Sequence, residues 1–311
     1  MSSQELFSAA VAHHKAGRLE QAAALYDVIL AEQPAHGDAL HYSALIALRR
    51  GDTGVAIDRL RRAVEAAPQR AVTHNDLGAA LRVAGRLPEA AAALERAVAA
   101  EPSYADAWSN LGLVRRAMSD FASARDALER ATQLRPDSAL AFNALGGVLK
   151  ALGDFAAART AFEQAVALKP DFAEAQTNLG LLLLDQGQPA AALAPLRRAV
   201  ELVPARGEAW HNLGLAQRGC GALKDASESF RGAVAADPKL ATSWNALGAV
   251  LARQEDHEAA CDAFTRAASL APDSVDILSN CGLSLSKLGR NEEALAMLER
   301  ALDLNPHHAE A

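Results

Sequence analysis

Nine prolines stand 34 residues apart along the whole chain: Pro34, Pro68, Pro102, Pro136, Pro170, Pro204, Pro238, Pro272 and Pro306, with no insertion or deletion between them. A period kept that strictly means one structural unit repeated, each copy packing on the next in the same way. The alanines agree in register, from Ala22, Ala56 and Ala90 through Ala124, Ala158, Ala192 and Ala226 to Ala260 and Ala294. Nine units follow in steps of 34, from residues 3–36, 37–70 and 71–104 to 241–274 and 275–308, so that 3–308 reads as a single array.

Inside the unit 105–138, apolar residues recur at helical spacing in "ADAWSNLGLVRRAM" and again in "FASARDALERATQL", with a break at "SD". Other units place glycine at that break, as at Gly17, Gly51 and Gly85, which suits a residue that ends a helix in the left-handed region. The proline then closes the second helix, because it donates no backbone hydrogen bond and biases the residue before it away from helix. Each unit is therefore a helical hairpin. Aromatics make up only 5% of the chain and alanine and leucine dominate, a bias that favours helix throughout.

With these residues in place the sequence resembles a tetratricopeptide repeat array, whose signature over 34 residues is W-x2-L-G-x2-Y followed by A-x3-F, A and P. Trp108, Trp210 and Trp244 all fall four residues into their units, and Leu-Gly follows at 77–78, 111–112, 145–146, 179–180, 213–214 and 247–248. The usual tyrosine is replaced, by Leu81, Arg115, Leu149 and Gln217 among others. The resemblance implies an all-α, right-handed solenoid of nine repeats with a concave groove. Small residues would let helices approach, while Phe162, Phe230, Phe264 and the equivalent leucines fill the gaps. The first two units are weaker copies, with Ala10 and Ala44 in place of the glycine, and read as a cap.

Composition excludes several functions. Thirty-one Lys and Arg against 38 Asp and Glu leave a charge of -7 and no basic run, which argues against nucleic acid. No apolar stretch approaches the ~20 residues of a membrane span, nor is there an export signal, so a cytoplasmic location is expected. Cys220, Cys261 and Cys281 form no CxxC pair and read as small buried hydrophobes; the histidine pairs His13/His14 and His307/His308 are poor metal clamps. Neither a phosphate loop nor a nucleophile motif occurs, so no catalytic residue, metal or cofactor is assigned.

The informative positions lie on the first helix of each unit, which in this family faces the groove. Position 6 holds Asp76, Asn110, Asn178, Asn212 and Asn280; Ala144 and Ala246 interrupt the row, and those two units carry Asn143 and Asn245 one residue earlier. Position 12 holds Arg82, Arg116, Lys150 and Arg218. An amide offers both donor and acceptor, as the backbone of an extended peptide requires, so the row reads as a ladder for a bound protein segment with a basic stripe beside it. A second reading stays open, in which each asparagine bonds a neighbouring helix or water. Acidic residues at position 2, such as Asp106 and Glu208, complement helix dipoles and read as structural.

Units such as "THNDLGAALRVAGRLPEA" also resemble the N-terminal superhelices of protein O-glycosyltransferases of the O-GlcNAc transferase type and their bacterial relatives, some of which modify flagellin. That resemblance implies recruitment of an acceptor protein for a catalytic domain beyond residue 311. The alternatives are a non-enzymatic adaptor of an assembly and the repeat arm of a sulfotransferase. The chain stops at "HHAEA" without a polar terminal helix, which is expected of a fragment. Tyr26 and Tyr42 are offered as exposed aromatics for self-association into a homodimer.

Overall fold

A computed structural model describes residues 2–307; His308 and the rest of the closing "HHAEA" beyond His307 lie outside the described residues. The fold is all-α, with eighteen helices and no strand among the described residues. Two compact units divide after Ala161, within α10. The first carries α1 (Ser3–Lys15) and α2 (Leu19–Glu32), α3 (Gly37–Arg50) and α4 (Thr53–Ala66), α5 (Ala71–Val83) and α6 (Leu87–Ala100), α7 (Ala105–Ala117) and α8 (Phe121–Leu134), then α9 (Ala139–Ala151) and the start of α10 (Phe155–Leu168). The second carries α11 (Ala173–Asp185) and α12 (Pro189–Leu202), α13 (Gly207–Gly219) and α14 (Leu223–Ala236), α15 (Ala241–Arg253) and α16 (His257–Leu270), then α17 (Val275–Lys287) and α18 (Asn291–Leu304).

Odd-numbered helices end in a left-handed residue. Gly51 has φ 87, and the turn is tied by Asp52 N–H to the Ala47 carbonyl at 2.9 Å, which satisfies an otherwise orphaned end group. Ser119 takes the same conformation with φ 62 at the "SD" break, as does Glu255 with φ 66, each at a cost of about 1–2 kcal/mol that glycine avoids. Even-numbered helices end before the proline. Ala67, preceding Pro68, leaves the helical region at φ -142 and ψ 75 while its N–H still reaches the Ala63 carbonyl.

Packing within a hairpin is small against large. A Cβ on Gly112 would lie 2.5 Å from Leu128 Cγ, and one on Gly214 would lie 2.7 Å from the Phe230 ring. Substitution there forces the helices apart, which is why the Leu-Gly pair recurs. The register alanines Ala22, Ala56, Ala90, Ala124, Ala158, Ala192, Ala226 and Ala260 are all fully buried.

A further tie was not read from the sequence. The fourth residue of a unit donates to the carbonyl of the preceding proline: Trp108 Nε1 to Pro102 at 3.0 Å, Trp210 to Pro204 at 2.9 Å, Trp244 to Pro238 at 3.0 Å. Gln176 Nε2 reaches Pro170 at 3.1 Å and His74 Nε2 reaches Pro68 at 2.8 Å in the same manner. Tryptophan is one of three side chains that place an N–H at that point.

Two expectations are corrected. Tyr26 is fully buried, stacked on half-buried Tyr42 with ring centroids 6.1 Å apart, and burial pushes its hydroxyl up to about 12; it offers no surface for self-association. Cys220 is exposed just after α13, whereas Cys261 and Cys281 are buried as expected.

Candidate functional site

Positions 5 and 6 of the first helices form lateral pairs between successive repeats. Asn110 Nδ2 on α7 donates to Asn75 Oδ1 on α5 at 2.9 Å, and Asn280 Nδ2 on α17 donates to Asn245 Oδ1 on α15 at 3.1 Å. The unit that lacks asparagine at position 6, with Ala246, thus supplies Asn245 at position 5 as acceptor for the next unit. Asparagine bonds a neighbouring helix in these two pairs, as the second reading had it. Each pair uses one of the two N–H groups of the donor amide, leaving the other N–H and the carbonyl oxygen for a further partner.

One repeat earlier the same pair is His41 and Asp76. His41 Nε2 on α3 lies 3.4 Å from Asp76 Oδ2 on α5, and Asn75 Nδ2 donates to Asp76 Oδ1 at 3.1 Å. The path His41, Asp76, Asn75, Asn110 is therefore continuous across three repeats. Burial of His41 holds its pKa down to about 4, with the Arg70 guanidinium acting in the same direction. Burial likewise raises the Asp76 carboxyl to about 6, against the opposing pull of the Asn75 hydrogen bond and of Arg70.

Thr73 Oγ1 stands 3.3 Å from His41 Nδ1, so Thr73, His41 and Asp76 line up in the order of a nucleophile, base and acid. Accessibility rules out that chemistry. Thr73 is 1% exposed, and Ser243, which pairs with His211 Nδ1 at 2.9 Å in the second unit, is 0% exposed; neither hydroxyl can meet a substrate. Both act as cross-repeat struts. No cluster of three or more His, Cys, Asp and Glu that could hold a metal ion occurs among the described residues.

The remaining predicted residues distribute over the first-helix faces of both units. Asp76, Asn110, Asn178, Asn212, Asn245 and Asn280 are half-buried, and Asn143 is buried. Arg82, Arg116 and Arg218 are exposed and Lys150 half-buried. Arg116 extends toward the next repeat, its Nη1 3.4 Å from where a Cβ on Gly147 of α9 would sit. Between the amide and basic rows lies an apolar one at position 9 that sequence reasoning missed: Leu45, Ala79 and Leu113 in the first unit, Leu181, Leu215 and Leu283 in the second, all at least partly exposed. Steps of three residues turn the helix by about 60° each way, so positions 6, 9 and 12 lie side by side. The face of the first unit is thus amide, apolar and basic across its width, while that of the second keeps one cation, Arg218, in the position 12 row.

Stacked helical hairpins whose first helices present such a surface define a repeat scaffold for protein interaction. Tetratricopeptide repeat models match residues 7–71, 71–96, 103–171, 143–207, 178–241 and 239–306, and the chain belongs to the tetratricopeptide repeat family. No curated protein matches it. Among solved structures it is similar to MamA, residues 41 to the end, from Desulfovibrio magneticus RS-1, with 27% identity and a TM-score of 0.51 over 54% of this chain and 95% of that one. The fold alone is shared with pilF of Pseudomonas aeruginosa, at 21% identity and TM-score 0.58 over 66% and 94% of the two chains. The same holds for a chain of the APC/C hetero-tetramer Cut9–Hcn1, at 18% identity and TM-score 0.55 over 94% and 57%. No described helix is long and apolar enough to cross a membrane.

Proposed function

We propose that the chain is an adaptor whose first-helix faces hold segments of partner proteins, the position 6 amides bonding extended backbone and the arginines its acidic groups. The observation that carries this reading is the composition of the face: unspent amide groups at Asn110 and Asn280, a half-buried apolar row, and the exposed cations Arg82, Arg116 and Arg218. Asn178 belongs to the position 6 row and Lys150 to the position 12 row and both are assigned to the same face, whereas Asn143, at position 5 and buried, is not. The finer reading, in which the segment is an acceptor delivered to a glycosyltransferase or sulfotransferase domain, rests on likeness of the repeats alone; the adaptor reading needs no residue beyond those described.

The test is selection of a random dodecapeptide library on the full chain, followed by rebinding of the enriched peptides to variants with an intact fold. Arg82→Ala with Arg116→Ala reports on the first unit, and Asn212→Ala with Arg218→Ala on the second. Peptides that weaken about tenfold or more on one of these pairs support the reading, since each charge-assisted bond removed is worth that much. A library that enriches nothing, or peptides indifferent to both pairs, overturns it.

A further inference from the structure

Asp76 is the one carboxylate in the position 6 row, where Asn110, Asn178, Asn212 and Asn280 carry amides. Its surroundings leave its charge without a counter-ion. The cation that acts on it, Arg70 at the head of α5, is itself paired with Asp38. His41 is buried at 4% exposure and cannot carry a charge cheaply. Arg82 lies six residues along the same helix, about 9 Å in rise and a third of a turn away. Only Asn75 Nδ2 at 3.1 Å and His41 Nε2 at 3.4 Å serve a group with room for about four donors.

The carboxylate is nonetheless reachable, its side chain 21% exposed on the same face as the amide row. A partly desolvated carboxylate on this face suits a long cationic side chain, whose apolar stem lies along the half-buried surface while its head meets the acid.

We propose that Asp76 receives a lysine or arginine side chain of the partner segment and thereby fixes the segment's register on the first unit. This rests on the reading of the face as a peptide-binding surface and adds to it. Amide rungs hold backbone whatever its sequence, so a ladder of them alone lets a segment slide by one rung; a single charged rung does not. Farther along the same unit the exposed cations Arg82 and Arg116 repel a second basic group, which leaves Asp76 as the place where one is accepted.

The library-selected peptides that depend on Arg82 and Arg116 provide the experiment on the full chain. They are expected to share one basic residue, and Asp76→Asn is expected to weaken them about tenfold to a hundredfold. The asparagine keeps an acceptor for His41, so the fold is preserved; the same loss is expected when the peptide's lysine becomes norleucine and wild-type chain is used. The two losses together should not exceed either one alone. Peptides that need Arg82 and Arg116 yet carry no shared basic residue, or that bind Asp76→Asn as well as wild type, overturn the assignment while leaving the peptide-binding reading standing. Failure of any peptide to depend on Arg82 and Arg116 overturns the assignment, and overturns the peptide-binding reading as well only if none depends on Asn212 and Arg218 either.

Discussion

The junction of α3 with α5 and that of α15 with α17 use the same two repeat positions, 35 residues apart in sequence, and fill them with different chemistry. In the C-terminal junction Asn280 donates to Asn245, a neutral bond between half-buried amides. In the N-terminal junction buried His41 faces Asp76, and both are held toward their neutral forms by desolvation. The scaffold accepts any donor and acceptor there, since repeat stacking supplies the geometry. What changes is cost: the amide pair is indifferent to pH, whereas the histidine and carboxylate pair makes stability depend on it.

The sharpest break of this comparison is His41→Ala. Removing the ring opens a cavity and deprives both Asp76 and Thr73 of a partner, for a loss of about 3–5 kcal/mol at neutral pH. Chemical denaturation of the full chain measures it; a loss below 1 kcal/mol would mean that the pair contributes no more than a surface contact.

Asp76→Asn turns the N-terminal junction into one closer to its C-terminal counterpart. The folded carboxyl, at about 6, lies above its ordinary 3.8, so the ionised form is penalised in the folded state. That penalty is fully present above pH about 6, shrinks as pH falls toward 3.8 and is gone below it. The variant should therefore be more stable than wild type by up to about 3 kcal/mol at pH 7.5, with the gain fading on acidification. His41 works in the other direction in both proteins: its folded pKa near 4 lies below 6.5, so stability falls as pH drops from 6.5 to 4. A gain that is constant between pH 7.5 and 4 would contradict the assignment of the raised carboxyl to Asp76.

Asn110→Ala and Asn280→Ala compare the two amide pairs directly. Asn75, the acceptor for Asn110, is buried at 6% exposure, whereas Asn245 is half-buried and can turn to water. The first substitution should cost about 1–2 kcal/mol and the second less than about 1, after alanine's better helix propensity offsets part of each loss. A cycle with Asn75→Ala isolates the coupling. Equal costs at the two sites would show that burial of the acceptor does not set the strength of the pair.

The period made the fold legible. Prolines, Leu-Gly pairs and the register alanines each repeat as one residue type, because packing of small against large tolerates little else: a Cβ on Gly248 would sit 2.8 Å from the Phe264 ring. The lateral pairs were harder to read because either member can be any polar side chain. Asn245 looked like a displaced rung and is the acceptor of the next repeat's Asn280, a relation that spans 35 residues instead of 34. The bond to the proline carbonyl escaped for the same reason, with Trp108, Gln176 and His74 sharing no likeness except an N–H at one point. The position 9 leucines were hidden by the expectation that apolar residues on an amphipathic helix face the core.

Asn212 sharpens the comparison with the smallest effect on the fold. It occupies position 6, is half-buried on α13, and follows His211, whose Nδ1 is engaged by Ser243 of the next repeat. The strut partner that Asn110 and Asn280 find at position 5 of the preceding repeat would here be Thr177, whose hydroxyl instead donates to the Ala173 carbonyl at 2.9 Å, so Asn212 is released from the strut role. Asn212→Ala should leave stability unchanged or raise it by about 0.5 kcal/mol, since alanine is the better helix former. Binding of peptides to the second unit should weaken all the same, by the ~0.5–1.5 kcal/mol of a single neutral hydrogen bond, or about two- to tenfold. Adding Arg218→Ala should slow association and flatten its dependence on salt, as loss of a steering charge does. Thermal melting, peptide titration and stopped-flow association at two ionic strengths separate these effects. If Asn212→Ala lowers the melting temperature by several degrees, the residue is a strut after all, and the division of the row into struts and free rungs fails at the position where it is cleanest.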